Sequence, residues 1–277
     1  MRTQFGYDQP VPVQYARWLA TVARGDLGYS RSWQQPVTTV LATTLPNTLM
    51  LIVPAFLLSI AGGMIVGAWQ GTHVRSTRDR VTSVLLLVLY SVPEFAFAMV
   101  LLVLAVQWLG APAGGITSEM YDYMTPLAQW RDRATHIVLP LLSVSLIGVA
   151  TFARYQRSSM QEAMQHPSVR TATASGLTPS QVRRRAWRTS LLPVITLGGV
   201  LLPSYLAGVV FVEQVFSWPG MGSMTVQAVL ARDYYLVAGT VIVGSALTAG
   251  GAALADLLRD IADPRLRTLT STARGAA

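Results

Sequence analysis

Long apolar runs free of charge decide what this chain can become. The first, Asn47 to Gln70, carries no Asp, Glu, Arg or Lys. Coiled at about 1.5 Å per residue, it is long enough to cross roughly 30 Å of hydrocarbon. Further apolar runs cover about 81–109, interrupted by Glu94, and 136–153, 191–212 and 234–255, which carry none of these four residues. Hydrophobic residues make up 52% of the 277 residues and charged ones 12%, against roughly 25% charged in soluble domains. The expected fold class is therefore an all-α polytopic membrane protein with about five transmembrane helices.

Charge then gives the orientation. The net charge is +8, and all 21 basic residues are Arg. A basic balance can mark nucleic-acid binding, but in a membrane protein it more often records cytoplasmic loops. Arginines concentrate in 71–80, in 154–190 and in the tail (Arg259, Arg265, Arg267, Arg274). These segments are expected inside, and 110–135 and 213–233 outside. Residues 1–46 then form an external N-terminal segment, with Arg2, Asp8, Arg17, Arg24, Asp26 and Arg31 and an amphipathic helix near Val13–Val22. The transmembrane domain is expected over 47–258 and a cytoplasmic tail over 259–277. An N-terminus placed outside with no preceding span suggests that a first membrane helix is missing. No cysteine is present, which removes disulfides, thiol catalysis and thiolate metal sites. The three histidines, His73, His136 and His166, lack metal-ligand spacing, so no metal site is expected.

The polar stretch 158–190 has a readable local design. Val169 to Ser175 can form a short helix, with Gly176 as its left-handed residue beyond the cap. Thr178 is a good N-cap, Pro179 suits the first helical position, and Gln181 completes a capping box. Leu177 and Val182 hold the positions of a hydrophobic staple. These signals alone fit an ordinary polar loop equally well.

Glu94 is the one carboxylate read as lying well inside an apolar run, directly after Pro93. Burying it in lipid costs about 3 kcal/mol on insertion scales, so it should face a cavity or a partner. It either lines a path and meets an ammonium group, or pairs locally at a helix kink. Phe216, Trp218, Pro219, Gly220 and Gly222 read as an external turn with a belt aromatic.

Taken together, the motifs resemble a known family. Residues 169–193, VRTATASGLTPSQVRRRAWRTSLLP, resemble the EAA loop of bacterial ABC-transporter permeases in the form used by peptide importers. Arg170-Thr171-Ala172 stand where that motif has Glu-Ala-Ala, and Gly176 stands at its glycine. Residues 12–30, SVPEFAFAMVLL at 91–102, the segment 210–239 and Asp263-Pro264-Arg265 also resemble stretches of these permeases, in order. The resemblance points to the B-type subunit of dipeptide and oligopeptide importers. Ser175 departs from the Lys common just before the glycine, and the family has six spans.

The resemblance implies a type I ABC importer permease-like helical bundle with a cytoplasmic coupling helix, in the bacterial cytoplasmic membrane. Arg170, Thr171, Ala172, Gly176, Leu177 and Thr178 would couple to an ATPase. Ser91, Pro93 and Glu94 would line the translocation path. Phe216, Trp218, Pro219, Gly220 and Gly222 would dock a solute-binding protein. Expected partners are a second permease subunit, making a heterodimer, then ATP-binding subunits, the binding protein and the lipid bilayer, with no nucleic acid. The chain has no G-x-x-x-x-G-K-[ST] phosphate loop, so ATP is expected on partner subunits and no cofactor or enzymatic activity on this one. Nickel, glutathione or another small solute remains an alternative cargo. A self-contained secondary transporter and a membrane enzyme or scaffold are the alternatives of other classes.

Overall fold

The apolar runs fold as helices, and most continue well past the apolar stretch. The computed structural model describes residues 9–262. In order, the helices are α1 Val11–Ala23, α2 Val37–Thr72, α3 Thr77–Ser91, α4 Glu94–Leu109, α5 Pro126–Gln165, α6 Pro167–Ala174, α7 Pro179–Val215, α8 Met221–Leu230 and α9 Tyr234–Ala262. A short antiparallel hairpin, β1 Tyr29–Ser30 with β2 Gln35–Pro36, precedes α2. Arg2, Asp8, Asp263-Pro264-Arg265, Arg267 and Arg274 lie outside the described residues.

Four helices, α2, α5, α7 and the apolar part of α9, are each long and apolar enough to cross a membrane. The expected single span over 81–109 is instead two helices, α3 and α4, bent by 106°. Pro93 is the cause. The residue before a proline is pushed out of the helical region, and Val92 is extended at φ −81° and ψ 130°.

Two expected boundaries shift for a related reason. The first span starts at Val37 rather than Asn47, so the proposed division at 46/47 falls inside a helix. Val37, Val40, Leu41 and Thr44 recur at helical spacing and are buried. The stretch 158–190 is mostly helix, not loop. α5 runs to Gln165 and α7 starts at Pro179. A helix need not stop at the first charge: α5, at 40 residues, is about 60 Å long, twice the hydrocarbon thickness. Its arginines and glutamines leave the apolar layer while the backbone stays coiled.

The bundle is built on α2 lying against α5, with α7 packed on both of them and α9 packed mainly on α7. Glycines at 63, 67 and 71 make the closest approach possible. A Cβ on Gly63 would strike Phe152, one on Gly67 the carbonyl of Ala153, and one on Gly71 would stand 2.6 Å from Met160 Cβ. In lipid, where apolar burial gives little drive between helices, such contact is the main attraction. One apolar cluster joins Leu51, Ile52, Leu139, Val144, Val209, Val212, Phe216 and Trp218 across α2, α5 and α7. A second joins Val37, Val40 and Leu41 to Met221, Met224, Ala228 and Leu236 at the far end. A third packs Met160, Ala163, Val169, Val182 and Ala186 under α6.

Because the chain has no cysteine, single introduced cysteines report sidedness. Ser175→Cys is expected to react with an impermeant maleimide only in inside-out vesicles, and Glu119→Cys only in right-side-out ones. The opposite pattern would overturn the orientation drawn from charge.

Candidate functional site

The tip formed by α6 and the start of α7 is a compact helix-turn-helix. α6 ends at Ala174, and Gly176 follows with φ +80°, a conformation glycine adopts without strain. Gly176 N–H donates to Thr173 O at 3.1 Å, and Leu177 N–H donates to Ala172 O at 3.2 Å. Together these make a Schellman turn. Thr178 then caps α7: its N–H donates to Gln181 Oε1 at 2.9 Å, and Gln181 N–H points back at Thr178 Oγ1. Val169 and Ala172 are buried beneath the turn against Met160, Val182 and Ala186.

The six residues expected to couple therefore divide. Arg170, Thr171, Gly176 and Thr178 are exposed, Leu177 is half-buried, and Ala172 is 4% exposed. Ala172 supports the tip from inside and cannot be a contact residue. Its position on α6 decides this, since 169 and 172 share the inward face.

Above the tip, polar side chains tie the helices together. Asp79, in the first turn of α3, is buried and accepts from Arg157 Nη2 of α5 at 2.9 Å. Arg75 N–H also donates to it, at 3.0 Å. Gln156 Nε2 of α5 donates to Ser190 Oγ of α7 at 2.7 Å. Asp79 is buried while Arg157 is about one third exposed, so removing the arginine would leave a lone buried carboxylate. The pair fixes the α2–α3 turn to the same end of α5 that carries α6.

Glu94 opens α4 and faces a cavity of about 150 Å³ between α4, α5 and α7, beside Thr151, Ser204 and Tyr205. Its Oε2 lies 2.6 Å from where a Cβ on Gly208 would stand, so the glycine gives the carboxylate its room. Among the described residues no ion pair reaches it. Tyr205 Oη is buried there without a hydrogen-bond partner. Ser91 and Pro93 are exposed; the Ser91 hydroxyl donates to Leu87 O of its own helix. Neither is among the residues lining this cavity, so of the three path candidates only Glu94 faces it.

At the other end of α7 the structure contains a carboxylate that sequence reasoning missed. Glu213 is fully buried, so Glu94 does not stand alone. Thr48 Oγ1 of α2 donates to Glu213 Oε1 at 2.6 Å, and Ser223 N–H of α8 donates to Oε2 at 2.8 Å. Thr48 Oγ1 accepts in turn from Met221 N–H at 2.7 Å. A Cβ on Gly220 would overlap the Glu213 carboxylate, and one on Gly222 would sit 2.8 Å from it. The signal was present: Glu213 interrupts VVFVEQVF, apolar on both sides.

The five residues expected as a docking turn are corrected by the same arrangement. Phe216 and Trp218 are 1% and 0% exposed, and Gly220 and Gly222 are buried. Trp218 Nε1 donates to Asn47 O at 3.0 Å, and Asn47 Nδ2 returns a bond to Pro219 O at 2.9 Å. An indole with one polar edge gains most by burial with that edge paired. Only Pro219 of the five is exposed.

Asp233, between α8 and α9, anchors the hairpin. Ser30 Oγ, Ser32 N–H and Ser32 Oγ all donate to its Oδ2, at 2.6, 3.0 and 2.7 Å. Burial works against the carboxylate, but these bonds and one from Leu236 N–H outweigh it and hold its pKa at about 2.

Comparison with known proteins agrees with this architecture. Residues 63–268 match the family described as binding-protein-dependent transport system inner membrane component. The chain belongs to that family. It is a multi-pass inner membrane component of a transport system. A Brucella ovis protein provisionally named a peptide permease is 35% identical over 270 residues, covering 96% of this chain and 83% of that protein. The oligopeptide transport system permease protein AppB of Bacillus subtilis is 31% identical over 266 residues, covering 95% and 83%. Its counterpart OppB of Mycobacterium tuberculosis is 32% identical over 278 residues, covering 95% and 82%. A crystal structure of an amino acid ABC transporter with histidines shares the fold at a TM-score of 0.53 and 16% identity, covering 80% of this chain and 94% of that one.

Two outcomes follow for the end of this component that carries α8 and the hairpin. Thr48→Val removes a donor to buried Glu213 and an acceptor for Met221, and is expected to cost about 1–3 kcal/mol; an unchanged thermal midpoint in detergent would refute the tie. For Asp233, the depressed pKa means the hairpin anchor is at full strength above its ordinary value of 3.8 and is lost as pH falls through about 2. Asp233→Asn should therefore loosen the hairpin at neutral pH and speed tryptic cleavage after Arg31. Equal cleavage rates would show that the carboxylate does not hold it.

Proposed function

We propose that this component is one half of the membrane channel of an ATP-driven importer that carries di- and oligopeptides inward. The observation that carries this reading is the stiff helix-turn-helix at the inner end, with Gly176 and the Thr178–Gln181 cap at its corner. A segment that receives force must transmit it without deforming, and a Schellman turn followed by a capping box over an apolar seat meets that need. The named relatives supply the cargo class.

In this reading ATP is bound and hydrolysed by partner subunits, and this chain carries no cofactor. Arg170, Thr171, Gly176 and Thr178 contact the ATPase, with Ala172 and Leu177 supporting them. A second permease subunit completes the path, forming a heterodimer. An external solute-binding protein meets the outer surface near Pro219, where buried Trp218 and Glu213 hold the turn. Glu94 lines the path and attracts the N-terminal ammonium of a peptide, a group its unpaired carboxylate suits.

The test has two parts. Gentle detergent extraction of the native complex is expected to recover an ATPase and a second permease with this chain; recovery of the chain alone would favour a self-contained transporter. In vesicles containing the complex, Glu94→Gln is expected to lower uptake of short peptides severalfold while the ATPase still co-purifies. Unchanged uptake would remove Glu94 from the path, and uptake of another solute in place of peptides would overturn the cargo.

A further inference from the structure

A cationic cluster lies where α3 packs on α5, outside the path and the coupling tip. Arg154 and Arg157 stand three residues apart on α5, on one face of the helix. The Arg154 guanidinium carbon lies 4.7 Å from the centre of the Tyr90 ring at the end of α3. Among the described residues no carboxylate pairs with it. Arg157 spends one terminal nitrogen on Asp79, but its Nε–H is buried without an acceptor. Gln70 Oε1 beside it is buried without a donor.

These groups surround open space. Gln70, Ser83, Arg154 and Arg157 line a cavity of about 220 Å³ with Leu86 and Leu87. Arg154 also borders a second cavity of about 340 Å³, with Tyr90, Tyr155 and Ser158. Two guanidinium groups against one carboxylate leave a single positive charge. The outer face of α3 beside it is apolar and open, with Val84, Leu85 and Val88 each more than half exposed. A monoanion with an apolar body fits this combination; a soluble anion leaves the apolar face uncovered. The unpaired acceptor on Gln70 adds a third requirement, a donor next to the anion.

We propose that this groove binds a phospholipid of the inner leaflet. Its phosphodiester sits on Arg154 and the free Nε–H of Arg157, a donor in its headgroup reaches Gln70 Oε1, and its acyl chains lie along α3. Basic pockets between membrane helices on the cytoplasmic side hold lipid headgroups by this chemistry, and an arginine presents several fixed donors to a phosphate. A bound lipid here would brace the α3–α5 crossing, which holds the Asp79–Arg157 pair. This site does not depend on the peptide reading.

Native mass spectrometry of the whole transporter, released from mild detergent with added phosphatidylethanolamine, phosphatidylglycerol or phosphatidylcholine, tests it. One phospholipid is expected to stay bound to this subunit, with the two donor-bearing headgroups retained over phosphatidylcholine. Arg154→Gln is expected to weaken retention roughly five- to tenfold, and Arg183→Gln, at an exposed position on α7, to leave it unchanged. Matching ATPase rates across the variants show that the complex is intact. Equal retention by Arg154→Gln would overturn the site. Displacement by an equal concentration of inorganic phosphate would assign it to a free anion instead of a lipid. Equal retention of phosphatidylcholine would overturn the contact to Gln70.

Discussion

Close contact between α2 and α5 is the condition on which the rest depends. Gly63, Gly67 and Gly71 present bare backbone to Phe152, Ala153 and Met160, and side chains there would drive the helices apart. Where neighbouring lipid is as apolar as a leucine, helices adhere through contact area and buried polar bonds. The seam supplies the first. Gln156 with Ser190, and Arg157 with Asp79, supply the second within the same two turns of α5. α3, α6 and α7 all take their positions from this part of the bundle.

Glu213 and Glu94, each set in an apolar helix, differ in what surrounds them. Both oxygens of Glu213 accept hydrogen bonds, one from Thr48 and one from the first turn of α8, so it holds a turn. Among the described residues Glu94 has neighbours but no ion-pair partner, and the Tyr205 hydroxyl in the same cavity has no hydrogen-bond partner. Two carboxylates in apolar surroundings thus differ in what they have left to offer. A satisfied one stabilises the fold, and an unsatisfied one in a cavity keeps acceptor capacity free.

Much of this was legible in the chain itself. Five apolar runs gave the class, and the Gly176–Gln181 turn was readable residue by residue because caps depend on local spacing. What escaped depends on partners far away in sequence. The glycines at 63, 67 and 71 matter only because α5 lies against them. Glu213 looked like a loop residue because its helix was ended too early. Trp218 looked like a belt aromatic because nothing local shows that Asn47 would accept its N–H. Pro93 marked the place of the break, but nothing local fixes an angle of 106°.

The unbroken length of α5 has a mechanical consequence. It is a single coiled rod from Pro126 to Gln165, and its tightest contacts with α2 fall between Gly148 and Met160. From there the outer arm extends about 35 Å, and the inner one only a turn or two. A rod held nearer one end swings its far end more widely, and in the opposite sense. A small displacement at the inner tip would then become a larger, reversed displacement at the outer mouth. The two ends of such a subunit could not open together, and that exclusion would need no signal beyond stiffness.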